Sequence, residues 1–204
     1  MTRIVQIDRR QPEPERIEEA AAVLRSGGLV IVPTETVYGI ACDPSVPGAL
    51  DRLVLAKGRD GDKPIARLAA DPQQVARTSR NWNKGLQALA EQYWPGPLTM
   101  VLETADGWIG YRIPDHAVAI ALASTCGSSL ALTSANRSGG PDTNNAQEAM
   151  ASVAADLVLD SGPSAGQAIP STVVRVDGRH IECLREGCLA FPAVRSIFMK
   201  GLKI

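Results

Sequence analysis

Leu29-Val30-Ile31-Val32-Pro33-Thr34-Glu35-Thr36-Val37-Tyr38-Gly39 is the stretch on which the fold turns. Four apolar residues in a row read as a strand covered on both faces, and Pro33 ends it because proline has no N–H to give to a sheet. Before it, Ile17, Ala20, Ala21 and Leu24 fall at helical spacing over about residues 13–26, where Gly27-Gly28 supplies a stop. After it, Ala49, Leu50, Leu53 and Val54 return to helical spacing over residues 47–56. The opening therefore reads helix, strand, loop, helix.

Farther along, the pattern predicts strands near residues 64–69, 98–102, 109–113, 130–133, 157–159, 172–176 and 181–184. Helices are predicted from Pro72, through 84–93, around 116–126 and near 146–153. This mixture implies an α/β fold: a single-domain, twisted mixed sheet flanked by helices, without the regular alternation of a doubly wound domain. At 204 residues the chain suits one large domain. We expect that domain over residues 1–190, followed by a C-terminal tail, 191–204.

Apolar residues make up 45% and charged residues 21%, which excludes the disordered and collagen-like classes. Lys plus Arg number 21 against 22 Asp plus Glu, so no global field draws the chain onto nucleic acid or an anionic membrane, and any polyanion site must be local. The N-terminus lacks the apolar core of a secretory signal, and no run approaches the ~18 apolar residues of a membrane span. A cytoplasmic protein without a membrane partner is expected. Cys42, Cys126, Cys183 and Cys188 form no CxxC pair, and His116 and His180 are the only histidines. Buried reduced thiols are expected and no protein-held zinc.

Five strand-end loops carry hydroxyl, amide or cationic groups. Thr34, Glu35, Thr36 and Gly39 follow the first buried strand, where α/β folds keep ligand groups. Lys57, Arg59 and Lys63 put three cations within seven residues of an otherwise neutral chain, a match for phosphate oxygens. Ser134-Ala135-Asn136 precedes Ser138-Gly139-Gly140, where small residues let backbone amides approach an anion. Ser171 begins another strand, and Arg185 ends the second strand of a hairpin around Asp177-Gly178. Taken singly, each is an ordinary turn or a helix end complementing its dipole. Jointly they describe a ligand cleft. Neither GxxxxGK[ST] nor GxGxxG is present.

Over residues 14–190 the chain resembles the YrdC-type threonylcarbamoyl-adenylate synthases. The resemblance rests on seven blocks in family order: residues 33–39, Lys57-Gly58-Arg59, Trp94-Pro95-Gly96-Pro97-Leu98-Thr99, Arg112-Ile113-Pro114-Asp115-His116, Ser134-Ala135-Asn136 with Ser138-Gly139, Pro170-Ser171-Thr172-Val173-Val174, and Leu184-Arg185-Glu186-Gly187. It implies an open, positively charged cavity. It also implies condensation of L-threonine, bicarbonate and ATP to threonylcarbamoyl-AMP and pyrophosphate, serving modification of adenosine-37 in transfer RNA.

By the same resemblance, Thr34, Thr36, Arg112 and Ser171 bind L-threonine, with Arg112 on its carboxylate. Lys57, Arg59, Ser134 and Asn136 form the catalytic set and bind ATP, joined there by Lys63 and Arg185. Mg²⁺ is expected to arrive with ATP, held by phosphates and water, with no metal ligand from the protein. Replacing Lys57 or Arg59 is expected to weaken ATP use with little loss of folding. A downstream threonylcarbamoyl-transferase complex is the implied partner, and there is room for weak transfer-RNA binding.

Three positions depart from the family pattern: Asp60 stands where many relatives have proline, Leu68 where many have a threonine-contacting histidine, and Ala41 where glycine is common. The rival readings are a YrdC-like RNA-binding or regulatory module without synthase activity, and a carbamoyl-transfer enzyme using the same module. The complete Lys57/Arg59 and Ser134/Asn136 pairs speak against the first, and the absence of acylphosphatase and zinc-finger segments against the second.

Overall fold

The structure, a computed structural model, describes residues 2–58, 65–164 and 169–203. Its strands are β1 (Arg3–Gln6), β2 (Val30–Val32), β3 (Gly39–Cys42), β4 (Ala66–Leu68), β5 (Leu98–Thr104), β6 (Gly107–Arg112), β7 (Leu130–Ser134), β8 (Leu157–Asp160), β9 (Thr172–Asp177) and β10 (His180–Arg185). They form one mixed sheet in the order β1-β8-β2-β3-β7-β4-β6-β5-β9-β10. The helices are α1 (Pro14–Arg25), α2 (Ala49–Lys57), α3 (Pro72–Thr78), α4 (Lys84–Tyr93), α5 (Ala117–Cys126), α6 (Ala146–Ser152) and α7 (Phe191–Gly201).

Local chemistry starts and stops these helices where the sequence expects. The side chains of Asp71, Asn83 and Asn145 accept from the backbone N–H three residues on, capping α3, α4 and α6. Each such cap contributes about 1 kcal/mol. Helix α1 buries Ile17, Ala20, Ala21 and Leu24 on one stripe, and Gly27 follows it at φ +81°.

The two halves of the sheet are covered differently. In the half containing β2, β3, β7 and β8, both faces are dry. Val30, Val32, Ala41 and Leu130 pack with α1 and α5 on one side, while Ile31, Ile40, Cys42 and Ala131 pack with α2 and α6 on the other. In the half containing β5, β6 and β9, Met100, Tyr111 and Val174 meet in register and pack with α4 and α7. Their neighbours Thr99, Val101, Gly110, Arg112, Val173 and Arg175 alternate to the opposite face and line a cavity.

Three elements go beyond the sequence reading. The sequence pattern marks no element at β1 and a loop leading into β3, and residues 191–204, expected as a tail, contain α7. That helix buries Val194, Phe198 and Gly201 and packs on α4. A Cβ at Gly85 of α4 would lie 2.6 Å from the Phe198 ring, so this crossing tolerates only glycine there. The cysteines also differ from expectation: Cys42 is buried, but Cys188 is exposed.

Burial holds one titratable side chain in its neutral form. His116 is 4% exposed, its Nδ1 has no hydrogen-bond partner, and desolvation, aided by the Arg9 guanidinium, pulls its pKa down to about 4. Between the ordinary value of 6.5 and about 4, the unfolded chain takes up a proton that the folded chain refuses. Stability therefore falls by about 3 kcal/mol as pH drops through that window, and it is fully present above it. Urea midpoints at pH 7.5 and 4.5 should show a smaller acid loss for His116→Gln than for the unaltered chain. Equal losses would remove His116 as the cause.

Candidate active site

Strand register assembles the site from segments distant in sequence. Gly39 pairs with Ser134, so the loop entering β3 lies beside the loop leaving β7. Leu98 pairs with Thr172, and the Thr172 N–H donates to Pro97 O (3.0 Å), which sets Ser171 beside Thr99. The cavity above them is about 610 Å³ and includes Thr34, Thr36, Thr99, Arg112, Ser134 and Ser171 in its lining.

At one end stands Arg112, brought in by the end of β6. Its Nη2 donates to Glu35 Oε1 (2.5 Å) and to Thr36 Oγ1 (3.0 Å), and its Nε to Gly96 O (3.3 Å). The loop it grips is tied to itself, since Thr34 Oγ1 donates to Val37 O (2.6 Å). From below, the Tyr38 hydroxyl donates to Gly162 O (2.7 Å). These bonds account for the block Pro33-Thr34-Glu35-Thr36 better than any ordinary turn does: Glu35 and Thr36 accept from one guanidinium, while buried Thr34 ties the loop to itself.

The Ser171 region is equally constrained. Ser171 Oγ and Thr99 Oγ1 share a hydrogen bond (2.8 Å), and Arg185 Nη2 donates to Ser171 O (2.9 Å) and Oγ (3.3 Å). Gly187 lies flat on this loop: a Cβ there would fall 2.2 Å from Pro170 O, so any side chain would displace it.

Opposite, Ser134 Oγ donates to Asn136 Oδ1 (2.5 Å), and Asn136 Nδ2 donates to Gly140 O (2.6 Å). The Lys57 ammonium donates to the carbonyl oxygens of Ser134 and Asn136 and to Asn136 Oδ1. Lys57 is only 4% exposed. This corrects the expectation that it can be removed with little loss of folding, because an ammonium so placed is a strut of the 134–140 loop. Arg59 and Lys63, the other two members of the cationic cluster, lie outside the described residues, as does Asp60.

The fold therefore gathers Thr34, Thr36, Arg112, Ser134, Ser171 and Arg185 around one cavity, with Lys57 and Asn136 behind its wall. Arg67, Trp108, Asp142 and Arg175 also line it, and the sequence reading did not single them out. Arg175 stacks over the Trp108 ring at 4.1 Å from its centre. Their signal was the alternation Trp108/Gly110/Arg112 and Val173/Arg175, which marks a common face but cannot distinguish a cavity from open solvent. Leu68 is fully buried among Leu130 and the residues of α1 and α5, so its side chain belongs to the core. Among the described residues, the lining carries four arginines and one aspartate. No three His, Cys, Asp or Glu side chains there gather as a metal site.

An open mixed sheet with a cavity of ligand size, walled by arginines and short hydroxyl side chains, defines a protein that binds anionic small molecules. The Sua5/YciO/YrdC family model, described as telomere recombination, matches residues 22–187. The chain belongs to this family. It is 34% identical over 177 residues to the threonylcarbamoyl-AMP synthase of Chromohalobacter salexigens, a match covering 80% of this chain and 94% of that one. The crystal structure of P. abyssi Sua5 complexed with L-threonine superposes with a TM-score of 0.87 at 29% identity, covering 96% of this chain and 61% of that one. This chain thus spans about three fifths of the P. abyssi protein. E. coli YciO shares the fold, with a TM-score of 0.81 at 23% identity over 93% of this chain and 98% of its own.

Proposed function

We propose that this protein is an L-threonylcarbamoyladenylate synthase, forming threonylcarbamoyl-AMP and pyrophosphate from L-threonine, bicarbonate and ATP for modification of adenosine-37 in transfer RNA. The observation that carries the reading is a single cavity with Arg112 and buried hydroxyls at one end and the braced Ser134–Gly140 loop at the other. The first arrangement suits an amino acid, the second a phosphate chain.

In this reading Arg112 holds the threonine carboxylate, and Thr34, Thr36 and Ser171 surround the rest of the molecule. The amine, once neutral, takes up bicarbonate as a carbamate with loss of water. A carbamate oxygen then attacks the α-phosphorus as the bond to pyrophosphate breaks. No side chain is needed as a nucleophile. The protein contributes alignment of the two substrates, together with Arg185 and the loop braced by Lys57, Ser134 and Asn136 against the charge developing on phosphate. Arg59 and Lys63 are assigned the same electrostatic role. Mg²⁺ would enter with ATP and neutralise phosphate charge; Asp142, the single carboxylate of the described lining, suits an ion that keeps most of its phosphate and water ligands.

No helix among the described residues is long and apolar enough to cross a membrane, and we place the protein in the cytoplasm. There it would hand its product to a threonylcarbamoyl-transferase complex and bind transfer RNA weakly. Pyrophosphate release from ATP should require L-threonine and bicarbonate together, because the nucleophile is assembled from both. Equal release without threonine would end the synthase reading.

A further inference from the structure

Strand register fixes only the roots of the two loops that close the ends of the cavity: Gly39 pairs with Ser134 in the sheet. Beyond the strands, the 33–38 loop and the 134–144 loop are both tied to a third segment, residues 161–164, which leaves the end of β8. That segment meets the first loop at two places. The Tyr38 hydroxyl donates to Gly162 O (2.7 Å) and accepts from the Ser161 N–H (3.3 Å), and the Ser164 hydroxyl donates to Thr34 O (3.3 Å). It meets the second loop through the Ser164 N–H, which donates to Asn144 O (2.7 Å). Tyr38 closes the circuit, since its own N–H donates to Thr143 O (2.9 Å) and its carbonyl accepts from the Ala135 N–H (2.8 Å). From behind, Asp160 Oδ1 accepts from the Gly162 N–H (3.0 Å) and the Arg9 guanidinium donates to Pro163 O (2.8 Å), so the segment is itself anchored.

Neither Tyr38 nor residues 161–164 belong to the described lining of the cavity, so they act on a bound substrate only through the loops they hold. We propose that the 161–164 segment is a positioning element of the reaction, with Tyr38 and Ser164 as its positioning residues: it fixes the spacing between the loop that takes the amino acid and the loop that takes the phosphates. The inference rests on the synthase reading and concerns the alignment of the two substrates, not the binding of either. Substrates held on separate loops react only when a carbamate oxygen stands in line with the α-phosphorus, and a misplacement of about 1 Å is enough to cost about 10²-fold in rate. Each loop keeps internal bonds of its own, Thr34 to Val37 and Asn136 to Gly140, and so still takes its ligand when the connection between them is cut.

Steady-state pyrophosphate release tests the assignment. Tyr38→Phe removes the hydroxyl and leaves the buried ring in place, while Ser164→Ala removes the bond to Thr34 and leaves the one to Asn144. Each should lower kcat by about 10–100-fold, with KM for L-threonine and for ATP within about threefold of the unaltered protein. Ser164→Thr, which keeps the hydroxyl, should recover most of the lost rate. Because both variants cut one connection, the double variant should lose little more than the slower single one. The proposal falls if kcat is unchanged, if Ser164→Thr is as slow as Ser164→Ala, or if the two losses add in full. It falls equally if KM for one substrate rises with kcat intact, the mark of a segment that builds only one end of the cavity. Should either variant not fold, the other carries the same prediction alone. An unaltered protein without threonine-dependent release would instead overturn the synthase reading itself.

Discussion

L-Valine should be used about 10⁴-fold less efficiently than L-threonine, measured as kcat/KM for amino-acid-dependent pyrophosphate release. Valine has nearly the shape of threonine, with a methyl group in place of the hydroxyl. An apolar pocket separates such a pair by only about 10–200-fold, but a site whose own polar groups are left unpaired by the wrong ligand does far better. This cavity is of the second kind. The hydroxyls of Thr34, Thr36, Thr99 and Ser171 are each no more than 5% exposed, and they are linked to one another or to Arg112 and Arg185. Each hydroxyl keeps donor or acceptor capacity beyond the bonds it already makes, and a methyl group leaves unused what a substrate hydroxyl would fill. Serine, which keeps the hydroxyl and lacks only a methyl group, should fall between the two. Valine matching threonine would move the amino acid away from this end of the cavity.

Replacing Lys57 with Met should lower stability by about 3 kcal/mol or more and abolish efficient ATP use in the same variant. Methionine fills most of the space of the lysine stem but donates nothing. The carbonyls of Ser134 and Asn136 and the amide oxygen of Asn136 would each lose the ammonium that now serves them at a site closed to water. For a chain of this length, such a loss corresponds to roughly 6–12 °C in Tm. The loop from Ser134 to Gly140 would lose its brace, so the two effects should appear together. A melting temperature within a degree of the unaltered protein, with ATP use gone, would restore the simpler picture of a lysine that only touches phosphate.

Helices were the most legible part of this fold in one dimension, because their signals are local. The stripe Ile17, Ala20, Ala21, Leu24 and the capping side chains Asp71, Asn83 and Asn145 act within a few residues of the backbone they stabilise. Even α7 had its pattern, with Phe191, Val194 and Phe198 at helical intervals. What the pattern lacked was a reason to be buried, which comes from Gly85 and Gly201 letting two helices meet. Strand β3 is the opposite case. Gly39-Ile40-Ala41-Cys42 has little strand propensity of its own and is held by partners on both sides, β2 and β7, the latter some ninety residues away.

The site divides along the same line. The sequence alone pointed to the groups suited to the chemistry: the hydroxyls at Thr34, Thr36, Ser134 and Ser171 and the cation at Arg185 were legible as strand-end residues, Lys57 as a helix-end cation, and Arg112 through the family resemblance. Only the tertiary structure decided what each group does, because that depends on partners set by register and burial. It made Lys57 a buried strut, turned Glu35 into the partner of Arg112, and gave Arg175 and Trp108 a cavity to face. Residue type is a local property of the chain, whereas burial and pairing come from contacts between segments that only the folded sheet brings together.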